Sequence, residues 1–228
     1  MNRVASLMNQ STFCYSAAEE ACNVATHAVG AILAIVGTFK LLLLPTPYIF
    51  PVSALIYGTS IFAFFLTSSL FHALRDSKKK DFVRKINQAT IFFAIAGSCL
   101  PFLFFNEYPQ ERLILYCALG VVAVAGGIAS FFKLKQYYCA AAICLFMIGA
   151  MLLLRPRHCP FSDSRMVYEI LLLAGVVAYG IGVSLNRIQK PFMHSTFHVF
   201  ILLGASIQYY TIWWLIYAVF EERWILPK

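Results

Sequence analysis

The chain has 228 residues, of which 61% are hydrophobic and 12% charged, with a formal net charge of +8 and a mean hydropathy of +0.74. An ordinary globular domain carries about 25% charged residues, so this composition excludes a water-facing enzyme surface, a nucleic-acid-binding domain and a disordered chain. The excess of 18 Lys and Arg over 10 Asp and Glu then belongs to short loops that orient a membrane protein.

A helix needs about 20 mostly apolar residues to cross a bilayer. Breaks at charged, Pro-containing and Gly-containing patches leave seven such stretches, at Thr26–Leu44, Pro51–Leu74, Ile86–Phe105, Leu113–Phe132, Tyr137–Leu154, Met166–Leu185 and Phe192–Phe220. The expected fold is all-α, a seven-transmembrane helix bundle forming one domain over residues 19–220. A short cytoplasmic segment, 1–18, precedes it and a tail, 221–228, follows. Met1 to Glu20 contains no apolar stretch of signal-peptide type, so no cleaved signal is expected.

Arg3, the six basic residues from Arg75 to Lys85, Lys133, Lys135, Arg187 and Lys190 fall on one side of these spans, eleven in all. Lys40, Arg112, Arg155, Arg157, Arg165, Arg223 and Lys228 fall on the other. The excess places the N-terminus in the cytoplasm and the C-terminus outside. In the last span Tyr209, Tyr210, Trp213 and Trp214 either mark the outer interface or pack on neighbouring helices. The seven cysteines, Cys14, Cys22, Cys99, Cys117, Cys139, Cys144 and Cys159, include no CxxC and mostly sit in apolar runs. They indicate neither a disulfide framework nor a thiolate metal site. Gly126, Gly127 and Gly149 are read as close-packing positions.

Polar groups inside spans are costly and are functional candidates by default. His158 falls in an outer loop. His27 at the start of span 1, His72 at the end of span 2, and His194 and His198 at the start of span 7 all fall at the cytoplasmic boundary. The i, i+4 pair His194 and His198 puts two imidazoles on one helix face, with Pro191 taken as the first helical position. His72 would add a third donor, and three protein donors with an open position form a catalytic zinc site. Hydrogen-bonded interfacial histidines are the alternative reading. Ser68, one turn before His72, could support the imidazole or a water, or serve helix contact. Glu20, Asn23, His27 and Gly30 form a 3-4-3 polar stripe. Glu19 and Glu20 also complement a helix N-terminus. Asn87 and Gln88 open span 3 on the same side.

Four ordered segments carry a resemblance over nearly the whole chain. They are Glu19-Glu20-Ala21-Cys22-Asn23-Val24-Ala25-Thr26-His27-Ala28-Val29-Gly30, then Ser68-Ser69-Leu70-Phe71-His72, then Ile95-Ala96-Gly97 with Pro101, and His194-Ser195-Thr196-Phe197-His198. Together they resemble the hemolysin III family of bacterial membrane proteins, in a seven-span superfamily with progestin and adipoQ receptors and alkaline ceramidases. The resemblance implies Zn2+ held by His72, His194 and His198, with Ser68 beside it, and hydrolysis of an amide in a lipid-like substrate. It also implies multi-pass residence in a bacterial inner membrane. In that pattern an Asp opening span 3 holds the reacting water. Asn87 stands there in this chain, followed by Gln88 where relatives usually have His.

An amide side chain orients a water but cannot take its proton. The shuttle would then be weakened or moved to Glu20 or His27. Three functions compete. The first is a zinc-dependent hydrolase of a lipid-derived amide, and the second a receptor-like or sensor-like protein with structural zinc. The third is a cytolysin or pore, for which spans 4 to 6 show no polar lining. Membrane lipids are the expected surroundings.

Overall fold

The computed structural model describes residues 15–44, 46, 49–103, 109–132 and 162–225. They form six helices, α1 (Ala17–Leu42), α2 (Ile49–Ala73), α3 (Ser77–Leu103), α4 (Pro109–Ala129), α5 (Ser162–Leu185) and α6 (Met193–Ile225), and no strand among the described residues. Each helix is long and apolar enough to cross a bilayer. Six of the seven expected spans thus have a helix. The fifth, Tyr137–Leu154, lies outside the described residues. So do Cys14, Cys139, Cys144, Cys159, His158, Gly149, Lys133, Lys135, Arg155 and Arg157.

Three of the boundaries that differ from the sequence reading have a clear local reason. Helix α1 begins nine residues before Thr26, because Ser16 and Glu19 close a capping box. The Ser16 hydroxyl accepts the Glu19 N–H at 3.2 Å and the Glu19 carboxylate accepts the Ser16 N–H at 2.8 Å. The basic stretch from Arg75 to Lys85 is mostly helix, not loop. Asp76 caps α3 by accepting the N–H groups of Lys78 and Lys79 at 2.9 and 3.1 Å. Pro191 is not the first helical residue, since α6 starts at Met193 after Phe192, which has φ 61°. That left-handed conformation is rare for a bulky residue.

Helix α1 packs on α2, α2 on α3 and α3 on α4, while α6 packs on α5, α1 and α3. Lipid is as apolar as a leucine side chain, so packing rather than water exclusion joins such helices. Buried Phe50, Phe65, Phe92, Ile212, Leu215 and Ile216 fill the interior, whereas Val29, Ile32, Leu33 and Val36 of α1 and Leu113, Ile114 and Val121 of α4 face outward. Two glycines let aromatic rings come close. A Cβ on Gly30 would stand 2.6 Å from the Phe65 ring, and one on Gly126 would overlap Phe92. The aromatics of the last helix differ in their surroundings. Tyr209 lies against Gly37 of α1, and Tyr210, Trp213 and Tyr217 stack in a row whose two tyrosines are exposed.

Candidate metal centre at one end of the bundle

The start of α1, the end of α2, the start of α3 and the start of α6 meet at one end, and four of the five histidines meet with them. His198 is the middle ring. Its centroid lies 4.0 Å from His27, 4.3 Å from His194 and 4.9 Å from His72, while His72 and His194 are 5.2 Å apart. His27, His72 and His198 are buried. One ligand nitrogen from each of these three lies within 4.8 Å of the others. The i, i+4 pair shares a face as its spacing requires.

Helix α1 supplies most of the outer support. Asn23 and His27 are fully or almost fully buried, and the stripe expected from Glu20, Asn23, His27 and Gly30 faces inward with Glu19 beside it. Their side chains reach α2, α3, α6 and the turn ahead of α6. Glu19 accepts the Phe192 N–H at 2.8 Å, which holds the strained residue ahead of α6. Glu20 accepts from His72 Nδ1 at 2.6 Å and from Lys80 Nζ at 2.8 Å. Asn23 accepts from the Ser195 hydroxyl at 2.6 Å and its amide nitrogen lies 3.4 Å from His72 Nδ1. His27 Nε2 is 2.8 Å from the Ser68 hydroxyl.

These contacts set which nitrogens are free. Glu20, paired with the Lys80 ammonium, is an acceptor, so His72 carries its proton on Nδ1 and turns an unprotonated Nε2 into the cluster. His194 is held in the same way, with Nδ1 2.7 Å from Asn186 Oδ1. Its Nε2 then faces His72 Nε2 at 3.4 Å. Two lone pairs at that distance repel unless a proton or a cation lies between them. A ligating imidazole that donates its other N–H to a carboxylate or carbonyl oxygen is the usual outer arrangement of a protein-bound metal. His27 Nδ1 and His198 Nδ1 are also buried with no hydrogen-bond partner among the described residues, and such a group costs about 1–3 kcal/mol when nothing satisfies it. The donor set, all neutral imidazole, suits zinc and similar ions. The residues fit a metal.

Asn87 does not join this group. Its side-chain oxygen accepts the Thr67 hydroxyl at 3.2 Å, and Thr67 lies 3.0 Å from Thr90, so Asn87 belongs to a polar contact between α2 and α3. No hydrogen bond links it to a histidine among the described residues. Ser68 does reach the cluster, through His27 rather than His72.

Several contributors had no clear mark in the sequence. Lys80 was one of six basic residues and Asn186 one of several loop residues. Tyr15 stacks on His194 with centroids 4.7 Å apart, and Ser195 was noted only as part of a motif. Only Ser195, between two histidines, carried a usable local signal.

Residues 15–209 match the family described as haemolysin-III related. The chain belongs to that family. This haemolysin-III-related protein is therefore a multi-pass integral membrane protein. It is 26% identical to Hemolysin-3 of Bacillus cereus over 199 residues, covering 85% of this chain and 90% of that one. It is also 26% identical to the Hemolysin-3 homolog of Bacillus subtilis (strain 168), over 85% of this chain and 92% of the relative. Its identity to the human Monocyte to macrophage differentiation factor is 28% over 213 residues, covering 90% and 86% respectively.

Proposed function

We propose that this chain is a zinc-dependent hydrolase of lipid-like amides, working at the cytoplasmic side of a bacterial inner membrane, with His72, His194 and His198 as metal ligands. The observation that carries the reading is the pair of Nε2 atoms facing each other at 3.4 Å, each ring tied at Nδ1 to an oxygen of another element. A bound zinc ion would supply Lewis acidity and a water acidic enough to react near neutral pH.

The chain's own groups do the rest. Glu20 and Asn186 fix the two rings, and Lys80 keeps Glu20 ionised. Asn23 ties α1 to the start of α6, and Ser68, held by His27, offers a hydroxyl for orienting a water or a carbonyl. Asn87 can orient but cannot take a proton, and its oxygen is already used by Thr67. Proton acceptance rests on Glu20 or His27, and turnover is slow.

The seven-span, N-terminus-inside topology is part of this proposal. Helix α4 runs back along α3, and its end packs beside Ala89 and Phe93 near the middle of α3, so Phe132 lies toward the histidine end. Helix α5 ends beside His194 through Asn186, so Ser162 lies toward the opposite end. The chain between them has to pass from one end to the other, which supports a crossing at Tyr137–Leu154 and a single domain over residues 19–220.

Metal analysis of detergent-purified protein tests the first half of the reading, with about one zinc per chain expected. A metal-free protein, or zinc retained after His72, His194 and His198 are all changed to Ala, overturns it. A second reading, a receptor-like or sensor-like protein with structural zinc, is favoured by the Asn87–Thr67 contact, which leaves no carboxylate in the family's span 3 position. Asn87→Asp separates the two. A gain of roughly 10²–10⁴-fold in hydrolysis of a ceramide-like lipid supports a hydrolytic site, and no hydrolysis by either protein supports the structural reading.

A further inference from the structure

We infer that His27 is a fourth metal ligand, with Ser68 as its outer partner. The inference rests on the metal reading of the cluster but not on the proposed reaction. His27 is buried, its ring is nearer to His198 than is either His72 or His194, and one of its nitrogens falls within 4.8 Å of a nitrogen from both His72 and His198. It also repeats the pattern of the other two tied rings. His72 has one nitrogen on Glu20, His194 has one on Asn186, and His27 has Nε2 on the Ser68 hydroxyl at 2.8 Å. In all three cases the outer partner comes from a different element and engages one nitrogen only. For His27 the other nitrogen is Nδ1, which is buried and has no hydrogen-bond partner among the described residues.

A hydroxyl accepts as well as donates, so Ser68 can take the Nε2–H and fix the tautomer that leaves the Nδ1 lone pair free. The ring cannot turn away readily. It is bordered by Phe64 and Phe65 at centroid distances of 5.9 and 5.7 Å, and Phe65 is itself held in place against Gly30. Four imidazoles would fill the shell of a structural site, so ligation by His27 goes with the structural reading. A reacting water would need a fifth position, and proton acceptance would fall to Glu20 alone, since a ligating His27 has no free lone pair.

The test uses the full-length chain in detergent, stripped of metal by a chelator and titrated with Co2+ alone. Wild type should bind Co2+ with the visible absorption of a four-coordinate nitrogen site. His27→Gln places an amide where Nε2 was, which keeps the Ser68 contact while removing the Nδ1 ligand. It should lower Co2+ affinity by roughly tenfold or more, the scale at which even outer partners act, and shift the absorption band. His27→Asn places its amide near the Nδ1 position and should retain more affinity than the Gln variant. Thermal unfolding of each variant shows whether the bundle is intact.

If His27→Gln and His27→Asn both bind Co2+ with wild-type affinity and spectrum while His72→Ala does not bind, His27 is not a ligand and the metal reading survives alone. If wild type binds no Co2+, both fall. If the Asn variant binds more weakly than the Gln variant, the assignment of Nδ1 is overturned.

Discussion

Helices α1 and α4 are both apolar enough to cross a bilayer, and both bury one narrow stripe at helical spacing. In α1 the stripe is Glu19, Asn23, His27 and Gly30, and in α4 it is Leu119, Ala123 and Gly126, continued by Ser130 in the turn that follows. The geometry is the same and the chemistry is opposite. The α1 stripe forms hydrogen bonds to α2, to α6 and to the turn ahead of α6. The Ser130 hydroxyl turns back to its own helix at Gly126, and α4 is held to α3 by ring-on-glycine packing. Polar groups inside a membrane are expensive. The α1 stripe is therefore tolerated only because each member has a specific partner, whereas the α4 stripe needs nothing but shape.

Substitutions in the two stripes should separate metal binding from bundle stability. His72→Ala should have the largest effect. Apparent zinc-binding free energies of about 10–16 kcal/mol are shared over a donor set, so losing one donor should weaken metal affinity by a few hundredfold or more, read by competition with a chelator, while the helical circular dichroism stays unchanged. A full complement of zinc in this variant would break the comparison.

Glu20→Gln should follow. The amide still reaches His72 but no longer carries charge, and outer-partner changes typically cost about 10–100-fold in metal affinity. Gly126→Val in α4 should do the converse, lowering thermal stability in detergent by about 1–3 kcal/mol through overlap with Phe92 while leaving metal affinity within error. A loss of metal from Gly126→Val would show that the two regions are coupled. Lys80→Ala should have the smallest effect. The Lys80 and Glu20 side chains are 28% and 24% exposed, so the pair contributes at most about 1 kcal/mol, seen as a drop in metal affinity of up to about fivefold that high salt partly reproduces.

The helices were legible because scarce charge and long apolar runs leave few alternatives. Their starts were not. A charged residue ends an apolar run without ending a helix, and Lys78 to Lys85 continue α3 into the polar boundary once Asp76 caps it. The meeting of His27, His72, His194 and His198 could be anticipated because membrane sidedness reduces three-dimensional placement to one choice between two ends. The partners that orient those rings could not. Asn186 lies eight residues before His194 across a turn whose path depends on Phe192 at φ 61°, and nothing local in the sequence encodes that path. Asn87 aligned with a residue of the site in sequence but found Thr67 first, because side-chain length and rotation, not position in a motif, decide what a polar group reaches.

The reach of Glu19 to the Phe192 N–H, and of Asn23 to Ser195, spans 173 and 172 residues of chain. During synthesis α1 enters the bilayer first and these partners arrive last. The hydroxyl of Ser68, the imidazole of His72 and the ammonium of Lys80 become available as α2 and α3 follow, so His27 and Glu20 are provided for early. Asn23 and Glu19 wait for α6. Until then the first helix carries polar groups into the membrane with their final contacts unmade. The bonds that order the start of α6 beside the histidines are thus the last that the first helix can make.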